Sequence, residues 1–115
     1  MNSEKLYHGT CKAFVAFALQ NGGKFGPNCD AVSFTPDLGY ARMFAESWQT
    51  PLGRKRLEDY FGKVLGTEIF KPIVLEFNFL RLERLYNLHY RDDCGAEEFF
   101  VEEGPVDISL CKKFH

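Results

Sequence analysis

Three short stretches of this chain put polar side chains where apolar runs meet loops. His8-Gly9-Thr10 follows Lys5-Leu6-Tyr7, Ser33 and Thr35 alternate with Val32 and Phe34, and Glu97-Glu98 leads into Phe99-Phe100-Val101. An imidazole and hydroxyls at two strand ends can hold the hydroxyls of a ribose. A carboxylate at the head of a third strand would then lie beside that ligand. Glu97 and Glu98 face opposite sides of a strand, so one register delivers Glu98 to the face shared with Phe100. A slip of one residue gives the role to Glu97.

The elements that must carry these groups follow from local signals. Residues 4–8 predict a strand, and Thr10 is expected to cap a helix over 11–21 that Asn21-Gly22-Gly23 terminates, with Ala13, Phe14, Phe17 and Ala18 as its buried stripe. Lys24 to Asp30 is a loop and Ala31 to Phe34 a short strand. Thr35-Pro36-Asp37 then supplies an N-cap, a proline at the first helical position and an acid in the first turn of a helix over 36–48. Ala41, Phe44, Ala45 and Trp48 share one face of it. Pro51-Leu52-Gly53 interrupts, and a helix over 54–65 around Leu57, Tyr60, Phe61 and Val64 is closed by Gly66. Pro72 to Phe79 alternates as a half-buried strand. Residues 80–95 connect, with a turn of helix near Leu82 to Leu85, before strands at 97–101 and 106–111. Five strands and two or three helices, with the later strands close in sequence, predict a small α+β domain of mixed, mainly antiparallel sheets. No GxGxxG supports a dinucleotide fold of the parallel kind.

Composition sets the outer bounds. A chain of 115 residues with 45% hydrophobic side chains and 12 Phe predicts one domain, residues 1–115, with one site. A net charge of −2 gives no bulk attraction to nucleic acid or an anionic membrane, and Arg54-Lys55-Arg56 reads as a solvated face. Cys11, Cys29, Cys94 and Cys111 lack metal-knuckle spacing and are expected as reduced thiols. With no signal-type apolar segment and no membrane-length run, a soluble cytoplasmic protein is expected. A thiol nucleophile built on Cys11 and His8, and a metal site from His89, Asp92, Asp93 and Cys94, are weaker readings of the same residues. No metal is expected.

Leu6-Tyr7-His8-Gly9-Thr10, Val32-Ser33-Phe34-Thr35-Pro36-Asp37 with Tyr40-Ala41-Arg42-Met43-Phe44-Ala45, and Glu97-Glu98-Phe99-Phe100-Val101 together resemble the ADP-ribosyltransferase superfamily. That fold is shared by poly-ADP-ribose polymerases and many bacterial toxins, and the resemblance runs over residues 5–110. It implies that His8 bonds the adenosine ribose of NAD with Thr10 nearby, and that the Gly9 backbone pairs with the nicotinamide amide. Ser33 would brace the catalytic glutamate, with Thr35 completing the Ser-x-Thr pair. Phe44, or Tyr40 in its place, would stack on nicotinamide. Glu98 matches the catalytic glutamate.

Two features depart from the family pattern. Ser33 stands where polymerase-like members usually have Tyr, and Ala96 stands where arginine-modifying members carry a second acid. The implied activity is NAD-dependent mono-ADP-ribosyl transfer, in which NAD is a co-substrate cleaved at the nicotinamide–ribose bond. The acceptor, protein or nucleic acid, is left open, and for a toxin-like member an antitoxin or other regulator is an expected partner. The alternatives are a non-catalytic NAD or ADP-ribose binding module of this fold and an NAD-using RNA 2′-phosphotransferase-like enzyme.

Overall fold

The structure, a computed structural model, describes residues 4–26, 32–63, 66–93, 96–102 and 105–115. Cys29, Val64 and Cys94 lie outside the described residues. The first strand, β1 (Lys5–Cys11), leads directly into α1 (Lys12–Gln20). β2 (Lys24–Phe25) and β3 (Val32–Phe34) follow, then α2 (Leu38–Glu46), a 3-10 turn at Ser47–Gln49 and α3 (Pro51–Phe61). After a second 3-10 turn come β4 (Pro72–Asn78), α4 (Phe79–Leu85), β5 (Leu88–Asp93), β6 (Ala96–Val101), β7 (Val106–Asp107) and β8 (Lys113–Phe114). Among the described residues this is an α+β fold with four α-helices and three small antiparallel sheets, ordered β1-β4-β8, β2-β7 and β3-β6-β5. No helix among them is long and apolar enough to cross a membrane.

Several boundaries differ from those the local signals predict. β1 runs on through Thr10, so Thr10 is a strand residue and α1 starts without a side-chain cap. Thr35 does not cap α2: Asp37 does, its carboxylate accepting from Tyr40 N at 3.2 Å, while Thr35 Oγ1 accepts from Asp37 N at 3.1 Å in the turn before it. Pro51 begins α3 where an interruption was expected, because Thr50 caps it through Gly53 N at 3.1 Å. Gly62, left-handed at φ 69°, ends it in place of Gly66. The expected connection over 80–95 contains a strand, β5, and the strand expected over 106–111 is the two-residue β7 followed by a 3-10 turn.

The core explains how the two larger sheets meet. Leu6, Phe34, Leu75, Phe77, Leu82 and Val101 are almost wholly inaccessible and form one cluster, each side chain contributing about 1.5–3 kcal/mol of transfer free energy. Phe34 of β3 meets Phe77 of β4 edge to face at 5.3 Å. β4 is covered on both faces, since Val74 packs under Ala41 and Ala45 of α2 while Leu75 and Phe77 enter the main core. It is therefore not the half-buried strand its alternation predicts.

Glu76 is buried in that strand and must be neutralised there. His115 Nε2 donates to Glu76 Oε1 at 2.8 Å, and Lys5 Nζ lies 3.8 Å from Oε2. The His115 hydrogen bond, helped by Lys5 and Lys113, holds the carboxyl below its usual range against the opposing effect of burial. A folded-state value below the unfolded one adds stability that is complete above the ordinary carboxylate range and is lost as pH falls through the folded value. Melting temperature followed by circular dichroism from pH 7 toward pH 3 should therefore fall more steeply for the native chain than for Glu76→Gln. Parallel curves would refute the assignment.

Candidate functional site

β1 and β3 are joined by a single bridge. Tyr7 N donates to Thr35 O at 2.8 Å and Thr35 N to Tyr7 O at 2.9 Å. A regular ladder would next pair Gly9 with Ser33, but the strands part there. The Ser33 carbonyl accepts instead from Nδ1–H of His8 at 2.7 Å. The opening becomes a cleft of about 510 Å3 between the sheets and α2.

His8, Gly9, Thr10, Ser33, Thr35, Tyr40, Phe44 and Glu98, all chosen from the sequence, line this one cleft. Their convergence has a physical route. In β1 the even positions turn one way: Leu6 joins the main core and the His8 ring lies 5.0 Å from Phe25 and 5.7 Å from Phe34. In β3 and β6 the core face is Val32, Phe34, Phe99 and Val101, which leaves Ser33, Thr35, Glu98 and Phe100 on the opposite face. The register pairs Phe34 with Phe99, where the ladder ends, and Thr35 and Glu98 are the next residues along their strands. Glu97 points the other way, exposed, its Oε1 accepting from Tyr90 OH at 3.4 Å.

Gly9 has two distinct duties. Val74 N donates to His115 O at 3.1 Å and His115 N to Val74 O at 2.8 Å, so Val74 spends its main-chain groups on the β8 side. Its partner Gly9 therefore sits in a non-hydrogen-bonded pair. Its N–H and C=O point to the other edge, as those of Tyr7 do, toward the place where β3 has turned away. Neither group has a hydrogen-bond partner among the described residues. The missing side chain answers to something else. A Cβ at Gly9 would lie 2.3 Å from Ala41 O and 3.0 Å from Ala45 N, so glycine is required by the close approach of α2.

Electrostatics define what each group can do. Burial lowers the His8 pKa, with the hydrogen bond to Ser33 O opposing it, so the ring is neutral near pH 7. With Nδ1–H committed to a carbonyl, Nε2 carries the lone pair and is an acceptor for a hydroxyl. Thr10 is 5% exposed, and neither its hydroxyl nor that of Ser33 has a hydrogen-bond partner among the described residues. Glu98 meets the guanidinium of Arg91, its cross-strand neighbour in β5, through Oε1. Cys11 is buried, its thiol is pushed up by burial, and it faces away from His8 across the strand, which removes the thiol-nucleophile reading. Cys11 and Cys111 are free. Among the described residues no group of three metal-ligating side chains forms, and His89 stacks on Phe100 with ring centroids 5.2 Å apart.

No family model, no curated protein and no solved structure matches this chain.

Phe44, expected as a stacking residue, is 53% exposed although helical spacing groups it with the buried Ala41 and Ala45. The rest of the cleft wall escaped the sequence reading. Phe17, expected in the buried stripe of α1, is also exposed, and its ring meets Tyr60 of α3 edge to face at 6.5 Å. With Phe14 and Trp48 these rings make an aromatic side to the cleft, and Arg56 and Lys24 bring positive charge to it. Periodicity alone marks such residues as core. The only available signal was a surplus of aromatics on α1 and α3 beyond what one small core needs.

Proposed function

We propose that the protein is an NAD-dependent mono-ADP-ribosyltransferase with an ADP-ribosyltransferase-like fold, and that Glu98 is its catalytic residue. The observation that carries this reading is the convergence of His8, Gly9, Thr10, Ser33, Thr35 and Glu98, from three distant segments, on one cleft. In this reading the neutral His8 accepts a ribose hydroxyl through Nε2, and the outward N–H and C=O of Gly9 pair with the carboxamide of nicotinamide. Tyr40 or Phe44 covers the nicotinamide ring; the Ser33 hydroxyl, expected to brace Glu98, makes no hydrogen bond to it among the described residues, where Arg91 holds that carboxylate, and is left to bond the ligand. The Glu98 carboxylate holds the 2′-hydroxyl of the nicotinamide ribose and stabilises positive charge at C1′ as the bond to nicotinamide breaks. The nitrogen of the pyridinium keeps the bonding pair, so nicotinamide leaves neutral. The acceptor's oxygen or nitrogen then bonds to C1′ and loses its proton to solvent or to the carboxylate.

The binding-module alternative calls for a glutamate turned out of the cleft, and Glu98 lines it. Position 96 is alanine and Arg91 stands beside Glu98, so a guanidinium acceptor is disfavoured. The phosphotransferase-like alternative draws support from Lys24 and Arg56, although Lys24 is partly engaged by Asp107 at 3.7 Å. Incubation with NAD labelled in either half tests the reading. We expect free nicotinamide and adenosine-side label on an acceptor or in free ADP-ribose. Binding without release would leave the module; conversion only in the presence of 2′-phosphorylated RNA would favour the phosphotransferase; neither binding nor release would overturn the NAD reading.

A further inference from the structure

Arg91 was not among the residues expected to matter, and it stands in a segment expected to be a connection. The hairpin of β5 and β6 sets it directly across from Glu98, and its guanidinium contacts Glu98 Oε1. The same guanidinium carbon lies 5.5 Å from the centre of the Phe100 ring, which shares the cleft-side face of β6 with Glu98. His89 stacks on that ring and completes a short row on β5. The Arg91 side chain is 58% exposed while that of Glu98 is 18% exposed. The arginine thus approaches from the solvent side and holds a carboxylate that is mostly covered.

This arrangement fits a task that a surface ion pair does not need. A glutamate side chain has several free torsions, and fixing it in one orientation costs rotamer entropy. Arginine, with a planar fork of donors lying over an aromatic face, is suited to hold one carboxylate oxygen in a defined direction. The contact occupies Oε1 and leaves Oε2 to accept from a ligand.

Resting on the proposed NAD reading, we infer that Arg91 is a positioning residue for the reaction: it fixes the Glu98 carboxylate so that its second oxygen meets the 2′-hydroxyl of the nicotinamide ribose. Arg91 itself touches neither NAD nor the acceptor. Its contribution is made in the transition state, through Glu98, and not in ground-state binding of NAD.

The test is steady-state nicotinamide release by the full chain, for the native protein, Arg91→Met, Arg91→Lys, Glu98→Gln and the double variant Arg91→Met with Glu98→Gln. Arg91→Met is expected to lower kcat about tenfold or more with KM for NAD within about twofold, and Arg91→Lys to recover a substantial part of kcat. In the Glu98→Gln background Arg91→Met should lower kcat little further, because the negative charge that Arg91 positions is already lost although the side chain can still accept from it. Unfolding curves for each variant accompany the kinetics; an ion pair whose arginine reaches in from solvent contributes little to stability, so the melting temperatures should stay close. An unchanged kcat in Arg91→Met, a loss expressed as KM, or an additive loss in the double variant overturns the role while the NAD reading stands. A native protein that neither binds NAD nor releases nicotinamide overturns both.

Discussion

On the proposed NAD reading, Glu98→Gln is expected to slow nicotinamide release by about 100- to 1,000-fold while NAD affinity stays within about threefold of native. The two amino acids differ little in shape, and the difference lies in charge. Glutamine keeps one acceptor oxygen, so it can still bond the ribose hydroxyl in the ground state. It has no negative charge to offer C1′ when the nicotinamide bond has stretched, which is where the carboxylate is worth most. The substitution also replaces the ion pair to Arg91 by a neutral hydrogen bond. Glu97→Gln is the matched comparison, because that side chain is exposed on the other face of β6 and bonds Tyr90. Isothermal titration for affinity and product chromatography for turnover separate the two quantities. A fully active Glu98→Gln protein, or an inactive Glu97→Gln one, would remove Glu98 from the role.

The second large effect concerns architecture. Gly9→Ala should destabilise the fold by about 3 kcal/mol or more and lower the melting temperature by on the order of 10 °C. The added methyl would sit 2.3 Å from Ala41 O and 3.2 Å from Ala41 C, both main-chain atoms of α2 that cannot rotate aside. Relief requires moving the helix. Tyr40 and Phe44 travel with it, so the same change should also weaken NAD binding. Gly66→Ala provides the contrast: nothing lies within 4 Å of the added Cβ, and stability should change by less than about 0.5 kcal/mol. Equal melting temperatures for the two variants would show that the contact between β1 and α2 is looser than described.

Much of the site was legible because its parts are local. His8-Gly9-Thr10 lies at a strand end, Ser33 and Thr35 alternate with core residues, and the order Glu98 then Phe99-Phe100-Val101 makes a strand by composition. Asp37 and Ala41 mark α2 well enough that only its cap was misplaced, by two residues, since Thr35, Pro36 and Asp37 are all good helix-start residues and the bridge to Tyr7 decides among them. β5 was hidden because Leu88-His89-Tyr90-Arg91-Asp92-Asp93 carries loop-like charge, and it becomes a strand by pairing with β6.

The chain's own order of residues thus determined which groups were available: the imidazole, the hydroxyls, the glutamate, and the alternation that sends them to one side of their strands. Those properties depend on neighbours one to four positions away, where periodicity and capping act. Only the tertiary structure decided that β1 and β3 part after a single bridge, that the Gly9 peptide faces the gap while α2 fills its missing side chain, and that Arg91 reaches Glu98. Each of these is set by contacts between residues dozens of positions apart, and pairing across such distances is governed by the packing of whole sheets and helices.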